Sequence, residues 1–543
     1  MKLKLLPLPV TLAAAMLLLS PFAKADDLML RLRLQQGPAS SSYDFIHAEA
    51  GSFNGPAAVT DSRDGDLWLI GRDAAGKELF RRPLRHPGRH MAEVFNPQTG
   101  DIAVARPIQR DGVVELLLPN PPALATLDLL DSAPGGRGAL AAATPLKRMS
   151  RADISALLDS SQQPRAGRQA LATAVPTGSA SLWNSGAANA RMDLVLIGDG
   201  YTSAEQSKWQ TDAQKIANGL LADPLFASYK NSFNITRVDI ASPQSGVSEG
   251  GVTRNTALGT VIGCYGIDRL VCADETKVYA AVGSVTAADA RDVIIVVANS
   301  TTYGGAGGNI GTMTMHPQSI EIALHEIGHT AFKLADEYDY GTCATSSEPS
   351  EANVTRSATR SGAKWASRIA ASTAVPTQPG SYANGTVGLF VGAKYCTSGV
   401  YRPTENSRMR NLGQPWHQVN EARAAQVFAS YTGSSGGGTG TSTTVNGTLS
   451  SVGASASYPS GSPGYYQSSA GGSFSLKLSG PATANFDLYL YKWNGSAWAV
   501  VAQAKAANST ENISYSGAAG YYYAQVKSVS GTGAFTLSYS FPK

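Results

Sequence analysis

Ser319-Ile320-Glu321-Ile322-Ala323-Leu324-His325-Glu326-Ile327-Gly328-His329-Thr330-Ala331-Phe332-Lys333-Leu334 is the stretch from which the rest of the chain is read. Ile320, Leu324, Ile327, Ala331 and Leu334 recur at offsets of four and three, which predicts a helix over 319–334 whose apolar stripe packs on a sheet. The opposite side is left for chemistry. His325 and His329 stand one turn apart and project side by side, so both imidazoles can reach one Zn²⁺ at about 2.0–2.1 Å. Glu326 is placed to act as general base toward a water whose pKa the ion lowers to about 7. The bland alternative is a chance pair of helical histidines. The chain has only seven histidines, and this offset, the adjacent acid and the clean apolar stripe together favour the metal. His47, His86, His90 and His316 have no partner at ligand spacing and read as ordinary polar residues, while His417 is left open.

A catalytic zinc usually takes three protein ligands and keeps one position open. The extended pattern HExxHxxGxxH would place Gly at 332 and His at 335, where this chain has Phe332 and Ala335. Asp336 is the expected third ligand and Glu337 the second candidate, each against the alternative of a solvated helix end. A straight helix would hold Asp336 about 10 Å along the axis from His329, so the chain must bend after Phe332.

Around this segment, residues 193–197 and 234–240 read as strands and 293–298 as a buried strand. Thr202 to Glu205 has capping-box spacing, and Trp209, Ala213, Ile216 and Leu220 mark one face of the helix that follows. These alternating elements predict a mixed-sheet unit over 186–431. Short alternating strands between turn residues predict a β-sandwich at 26–130 and another at 445–543. The Ala-, Gly-, Ser- and Pro-rich stretch 131–185, with one short helix near Arg151 to Leu158, reads as a linker or pro-segment, and 432–444 as a flexible Gly/Ser/Thr linker. The whole is a multidomain α+β chain.

Lys2 and Lys4 precede an apolar stretch and an Ala23-Lys24-Ala25 cleavage site, so 1–25 reads as an export signal and the mature protein as secreted or periplasmic. No apolar run is long enough to predict an integral membrane segment. The formal charge of +4 falls by three, to +1, without Lys2, Lys4 and Lys24, and no clustered basic face suggests nucleic acid. Four cysteines in an oxidising compartment imply two disulfides, with Cys264–Cys272 and Cys343–Cys396 preferred among three pairings.

With these residues in view, the region 193–430 resembles the IgA-peptidase family of secreted bacterial zinc metallopeptidases, a metzincin-like branch of the zincins. The resemblance rests on Gly198-Asp199-Gly200-Tyr201-Thr202, on Tyr303-Gly304-Gly305, on the histidine helix continuing through Leu334-Ala335-Asp336-Glu337-Tyr338, and on Tyr401-Arg402-Pro403 leading to Met409-Arg410. It implies a zincin-like catalytic domain and hydrolysis of internal bonds in a protein or peptide substrate. The glycine loop, with Tyr303, Gly304 and Gly305, would pair with extended substrate as an exposed edge. Met409 would floor the metal site. The last hundred residues resemble the pre-peptidase C-terminal β-sandwich of exported proteases, which implies contact with a cell surface or polymer, help in secretion, or removal on maturation. The competing readings are an adhesin or glycan-binding protein that keeps a zincin scaffold, and a zinc hydrolase of non-protein amides or esters. The intact Glu326 weighs against the first, and the glycine edge against the second.

Overall fold

A computed structural model describes residues 27–37, 40–51, 67–131, 144–162, 175–340, 347–432, 443–460, 464–468, 472–494, 497–517 and 520–541. The expected export signal, Cys343 and most of the expected 432–444 linker lie outside the described residues.

The N-terminal strands are β1 (Asp27–Gln36), β2 (Ser41–Gly51), β3 (Leu67–Arg72), β4 (Glu78–Leu84), β5 (Arg89–Phe95), β6 (Ile102–Gln109), β7 (Gly112–Pro119), β8 (Thr126–Asp131) and β9 (Lys147–Ser150). They form two antiparallel sheets, β2-β1-β7 and β4-β3-β8-β9. Leu28, Leu30 and Leu32 alternate inward on β1 and meet Leu67, Leu69, Leu127 and Leu129 across the core. The hairpin β5–β6 pairs only within itself among the described strands and packs on the next unit instead.

The stretch 131–185, expected as linker or pro-segment, is built into its neighbours where it is described. β9 extends one N-terminal sheet. The expected helix is α1 (Arg151–Gln162), which buries Ile154 in the N-terminal core, and β10 (Gly178–Trp183) pairs with a strand of the central sheet. Isolated apolar residues such as Met149 and Ile154 secure this stretch, although its composition is that of a connector.

The central unit comprises β11 (Met192–Asp199), α2 (Gln206–Ala222), α3 (Pro224–Ser228), β12 (Phe233–Asp239), β13 (Val261–Ile262), β14 (Val271–Cys272), α4 (Glu275–Gly283), β15 (Val293–Ala298), β16 (Gly305–Ala306), β17 (Gly311–Thr314), α5 (Ser319–Thr330), β18 (Phe390–Ala393), β19 (Cys396–Arg402) and α6 (His417–Tyr431). Its sheet runs β10-β12-β11-β15-β17-β16, parallel in the middle and antiparallel at both edges. β11 is buried on both faces. Leu194 and Leu196 pack under α2, α5 and α6, while Val195 and Ile197 pack toward α4. Each fully buried side chain of this size contributes about 1.5–3 kcal/mol. The capping box between Thr202 and Glu205 forms ahead of α2, whose Trp209, Ala213, Ile216 and Leu220 are buried as their spacing predicts.

The histidine helix α5 ends at Thr330, earlier than the predicted Leu334. Lys333 takes a left-handed φ of +54°, and Leu334 N donates back to Gly328 O at 3.0 Å, so the chain reverses there. Ala331 and Leu334 still join the core that the helical period assigned them to. The Cys264–Cys272 disulfide is present, and Cys396 is disulfide-bonded as expected, its preferred partner Cys343 being outside the described residues.

The C-terminal strands are β20 (Thr443–Leu449), β21 (Ser455–Tyr458), β22 (Tyr466–Ser468), β23 (Gly472–Ser479), β24 (Asn485–Trp493), β25 (Trp498–Ala504), β26 (Thr510–Gly517), β27 (Gly520–Ser530) and β28 (Gly533–Ser540). The sheets β20-β28-β23-β26 and β21-β27-β24-β25, with β22 on β27, face each other across Phe474, Leu476, Phe486, Leu488, Val526 and Leu537. The molecule is thus a multidomain α+β protein with many sheets and few helices. No helix among the described residues is long and apolar enough to cross a membrane.

Candidate metal centre

α5 carries His325 and His329 one turn apart, with their Nε2 atoms 3.1 Å from each other. Each ring is fixed from behind: His325 Nδ1 lies 2.9 Å from Arg408 O, and His329 Nδ1 lies 2.8 Å from Leu334 O. A carbonyl only accepts, so both Nδ1 atoms donate, and in the neutral rings both Nε2 lone pairs point at one place. Leu334 O is within reach because of the reversal at Lys333. The same reversal, at the bend expected after Phe332, brings Asp336 Oδ1 to 3.3 Å from His325 Nε2 and 3.0 Å from His329 Nε2.

A fourth donor arrives from the N-terminal unit. Glu93 on β5 sets its Oε2 3.7 Å from His325 Nε2, and the four donor atoms all lie within 4.8 Å of one another. A tetrahedral site with bonds of about 2.0–2.1 Å has edges of about 3.3–3.4 Å. The separations of 3.0, 3.1 and 3.3 Å among His325, His329 and Asp336 match such edges. Asp336 Oδ1 is buried without a hydrogen-bond partner. Converging lone pairs and an orphaned carboxylate oxygen repel unless a cation or protons lie between them, so these residues fit a divalent metal.

The charges without metal point the same way. Burial alone would lower His329, but the Asp336 carboxylate outweighs it and raises the ring to about 9. His325 is raised well above its ordinary value against the same burial, by the facing Asp336 and Glu93 carboxylates. Although burial opposes it, the two rings hold Asp336 far below the usual carboxylate range. Glu326 is pushed up to about 7 by burial. Its carboxylate lies on Gly307, where an added Cβ would come within 1.7 Å of Glu326 Oε2 and would displace the carboxylate.

Met409 lies beneath the helix as the expected floor. It is fully buried, and a Cβ on Gly328 would meet its Sδ at 2.5 Å. Glu337, the second ligand candidate, is not among the clustered donors. It instead holds the Met409 turn, accepting from Ser407 Oγ at 2.7 Å, Asn353 Nδ2 at 2.9 Å and Asn420 Nδ2 at 3.0 Å, while its own N–H donates to Met409 O at 2.7 Å.

Tyr303, Gly304 and Gly305 were expected to offer an exposed edge, and the structure differs. All three are buried. Gly305 N donates to Arg269 O at 3.3 Å, and Gly304 O accepts from Thr314 N at 3.3 Å and Ser319 Oγ at 3.2 Å. Ala306 packs against the cluster that Ala92 and Val94 of β5 form with Ile267 and Leu270. The sheet edge is therefore satisfied from within and covered by the N-terminal hairpin. His47, His86, His90 and His316 stay out of the clustered donors, as does His417 at the start of α6.

Sequence reasoning missed Glu93 and the tyrosines around it. Tyr338 donates to Glu93 Oε1, and the Tyr395 hydroxyl lies 2.7 Å from Asp336 Oδ2 and 3.0 Å from Glu93 Oε1. With one hydrogen each, Tyr338 serves Glu93 and Tyr395 serves Asp336. The available signal was an acid inside the otherwise apolar Met91-Ala92-Glu93-Val94-Phe95.

Comparison with known proteins finds similarity over parts of this chain. The pre-peptidase C-terminal domain of collagenase from Bacillus anthracis is similar at 17% identity, over 18% of this chain and 89% of that one, with a TM-score of 0.16. A mitogen derived from Yersinia pseudotuberculosis is similar at 17% identity, over 18% of this chain and 84% of its own, with a TM-score of 0.14. Residues 180–383, which hold the central sheet, both histidines, Glu326 and Asp336, match the family described as IgA Peptidase M64. That family is one of peptidases, which implies a protein substrate and a metal cofactor. The similarity to that family is carried by residues 180–383, the part of the chain that includes the histidine helix.

Proposed function

We propose that the chain is a zinc-dependent endopeptidase of metzincin-like architecture, exported by its amino-terminal signal. The observation that carries this reading is the convergence of His325 Nε2, His329 Nε2 and Asp336 Oδ1 at 3.0–3.3 Å on one point beside the buried Glu326. These three residues would hold the ion, which when bound lowers the pKa of a water and polarises the scissile carbonyl.

The chain's own groups do the rest. Glu326 takes the proton of the attacking water and delivers it to the leaving amine nitrogen, and a carboxyl poised near neutrality suits both duties. The carbonyls of Arg408 and Leu334 fix the imidazole tautomers, and Tyr395 turns Asp336 so that Oδ1 faces the rings. Met409 supports the helix from below. Gly307 borders Glu326 and leaves its carboxylate room beside the histidines. The disulfide chemistry of Cys264, Cys272 and Cys396 supports an oxidising compartment, secreted or periplasmic. The C-terminal sandwich is read as an accessory module for surface or polymer contact.

The test is metal analysis with casein hydrolysis. Zinc is expected at one per chain and lost in His325→Ala and His329→Ala. Chelator should stop cleavage and zinc restore it. Glu326→Gln should fold and retain zinc while turnover drops by about 10²–10⁴-fold. Full zinc occupancy in either alanine variant, or near-normal turnover in Glu326→Gln, rejects the assignment.

A further inference from the structure

The β5–β6 hairpin brings two N-terminal side chains onto the centre. Phe95 is 1% exposed and sits edge-on to His325, ring centroids 4.9 Å apart. It shares an apolar cluster with Tyr303, Ile322 and Tyr338. Glu93 is also buried, with Oε1 taking the Tyr338 hydrogen and Oε2 turned toward His325 Nε2. Three carboxylates, Glu93, Glu326 and Asp336, therefore crowd two imidazoles in a buried space, and burying such a charge costs several kcal/mol unless a counter-charge offsets it.

A site that catalyses needs three protein ligands and one open position, whereas four protein ligands close it. His325, His329, Asp336 and Glu93 make a set of four. Resting on the metallopeptidase reading above, we propose that Glu93 is the fourth metal ligand. It takes the place water and substrate need, so that the N-terminal unit keeps the intact chain latent. The hairpin also covers the glycine edge, since Ala92 and Val94 belong to the apolar cluster against which Ala306 packs at the end of that edge. It is tied down on both sides of Glu93. Asn309 Nδ2 donates to Pro87 O at 3.1 Å, Leu412 N to Gly100 O at 2.9 Å, and Gln318 Nε2 to Pro97 O. A carboxylate held in this way acts at a high effective concentration, which outcompetes a dissolved ligand.

The full chain loaded with cobalt(II) tests this through its visible spectrum, titrated with acetohydroxamic acid, in wild type, Glu93→Gln and Glu93→Asp. The aspartate keeps the charge but is one methylene too short to reach. Circular dichroism melting confirms the fold of each. The wild-type spectrum is expected to stay unchanged at hydroxamate concentrations that saturate Glu93→Gln, a difference of at least tenfold, with Glu93→Asp between them. Casein hydrolysis should rise at least tenfold in Glu93→Gln. Equal hydroxamate binding by all three overturns the proposal. So do folded Glu93 variants that no longer take up cobalt, since Glu93 would then be a ligand the site cannot do without and not the occupant of its open position. A wild-type chain that takes up no cobalt rejects the metal reading and this one with it. Unblocked hydroxamate binding in Glu93→Gln with no casein hydrolysis by any form rejects the peptidase reading and leaves Glu93 as the fourth ligand.

Discussion

In the C-terminal sandwich, Phe474, Leu476, Phe486, Leu488, Val526 and Leu537 bury one another. The N-terminal sandwich has a comparable core of its own, yet a second set of its buried residues finds partners in the central unit. Val113 packs with Val278 and Val296, Phe95 with Ile322, and Ala92 and Val94 with Ile267 and Leu270. Charges follow the same division. Arg291 of the central unit, with no exposed side-chain surface, reaches Glu49 at 2.5 Å and Glu115 at 3.1 Å, and Arg110 meets Glu275 at 2.6 Å. Two modules of the same architecture therefore differ in what their outer surfaces do. The first helps enclose the candidate metal centre, and the second closes on itself.

The largest expected effect comes from two matched substitutions. Phe95 and Phe474 are both buried, at 1% and 0% exposure, and truncating either to Ala costs about 3–5 kcal/mol. Calorimetry should place the losses apart. Phe474→Ala is expected to lower one transition, that of the C-terminal sandwich, and to leave metal binding unchanged. Phe95→Ala should spare that transition, loosen the hairpin from α5 and hasten proteolysis of the N-terminal unit. A common shift of one shared transition would dissolve the contrast.

A smaller effect, about 2–3 kcal/mol, is expected from Arg291→Ala, because Glu49 and Glu115 keep second partners in His47 at 2.8 Å and Arg31 at 2.6 Å. Burial would raise the Glu49 carboxyl, but His47 and Arg291 outweigh it and hold it at about 2, against about 4.5 when free. A depressed acid stabilises the fold above its unfolded value and loses that contribution as pH falls. Docking of the N-terminal unit should thus weaken between about pH 4.5 and about pH 2, and Arg291→Ala should flatten this dependence. Urea titrations across that window measure it, and an unchanged slope in the variant would remove Arg291 from the interface.

What the sequence disclosed follows from what is local in it. The α5 stripe, the buried β11 and the Thr202–Glu205 cap are written within a few residues, so period and spacing locate them. Asp336 was expected as the third ligand together with a bend after Phe332, but no period announces the left-handed Lys333 that delivers it. Glu93 was invisible in its role because its partner Tyr338 lies 245 positions away, and strand alternation says which face a residue takes but not which domain covers it. The glycine loop failed for a related reason. Glycines leave an edge thin, and a thin edge accepts the Arg269 carbonyl and the β5 side chains as readily as a substrate. Residues 147–162 looked like a connector because composition averages over the few apolar side chains that hold them.

The smallest effect should come from ending the chain after Thr432, which removes the whole C-terminal sandwich. Its core residues are supplied by β20 to β28 themselves, so cutting ahead of Thr443 exposes none of the hydrophobic cluster beneath α5. Metal content should remain at one per chain, and the hydroxamate response of the cobalt form should stay as insensitive as in the full chain. Turnover of casein in the Glu93→Gln background should change by less than about twofold, since domains with separate cores contribute nearly additively. Loss of metal on truncation would mean that the two sandwiches are coupled to the site alike, and the division drawn between them would fail.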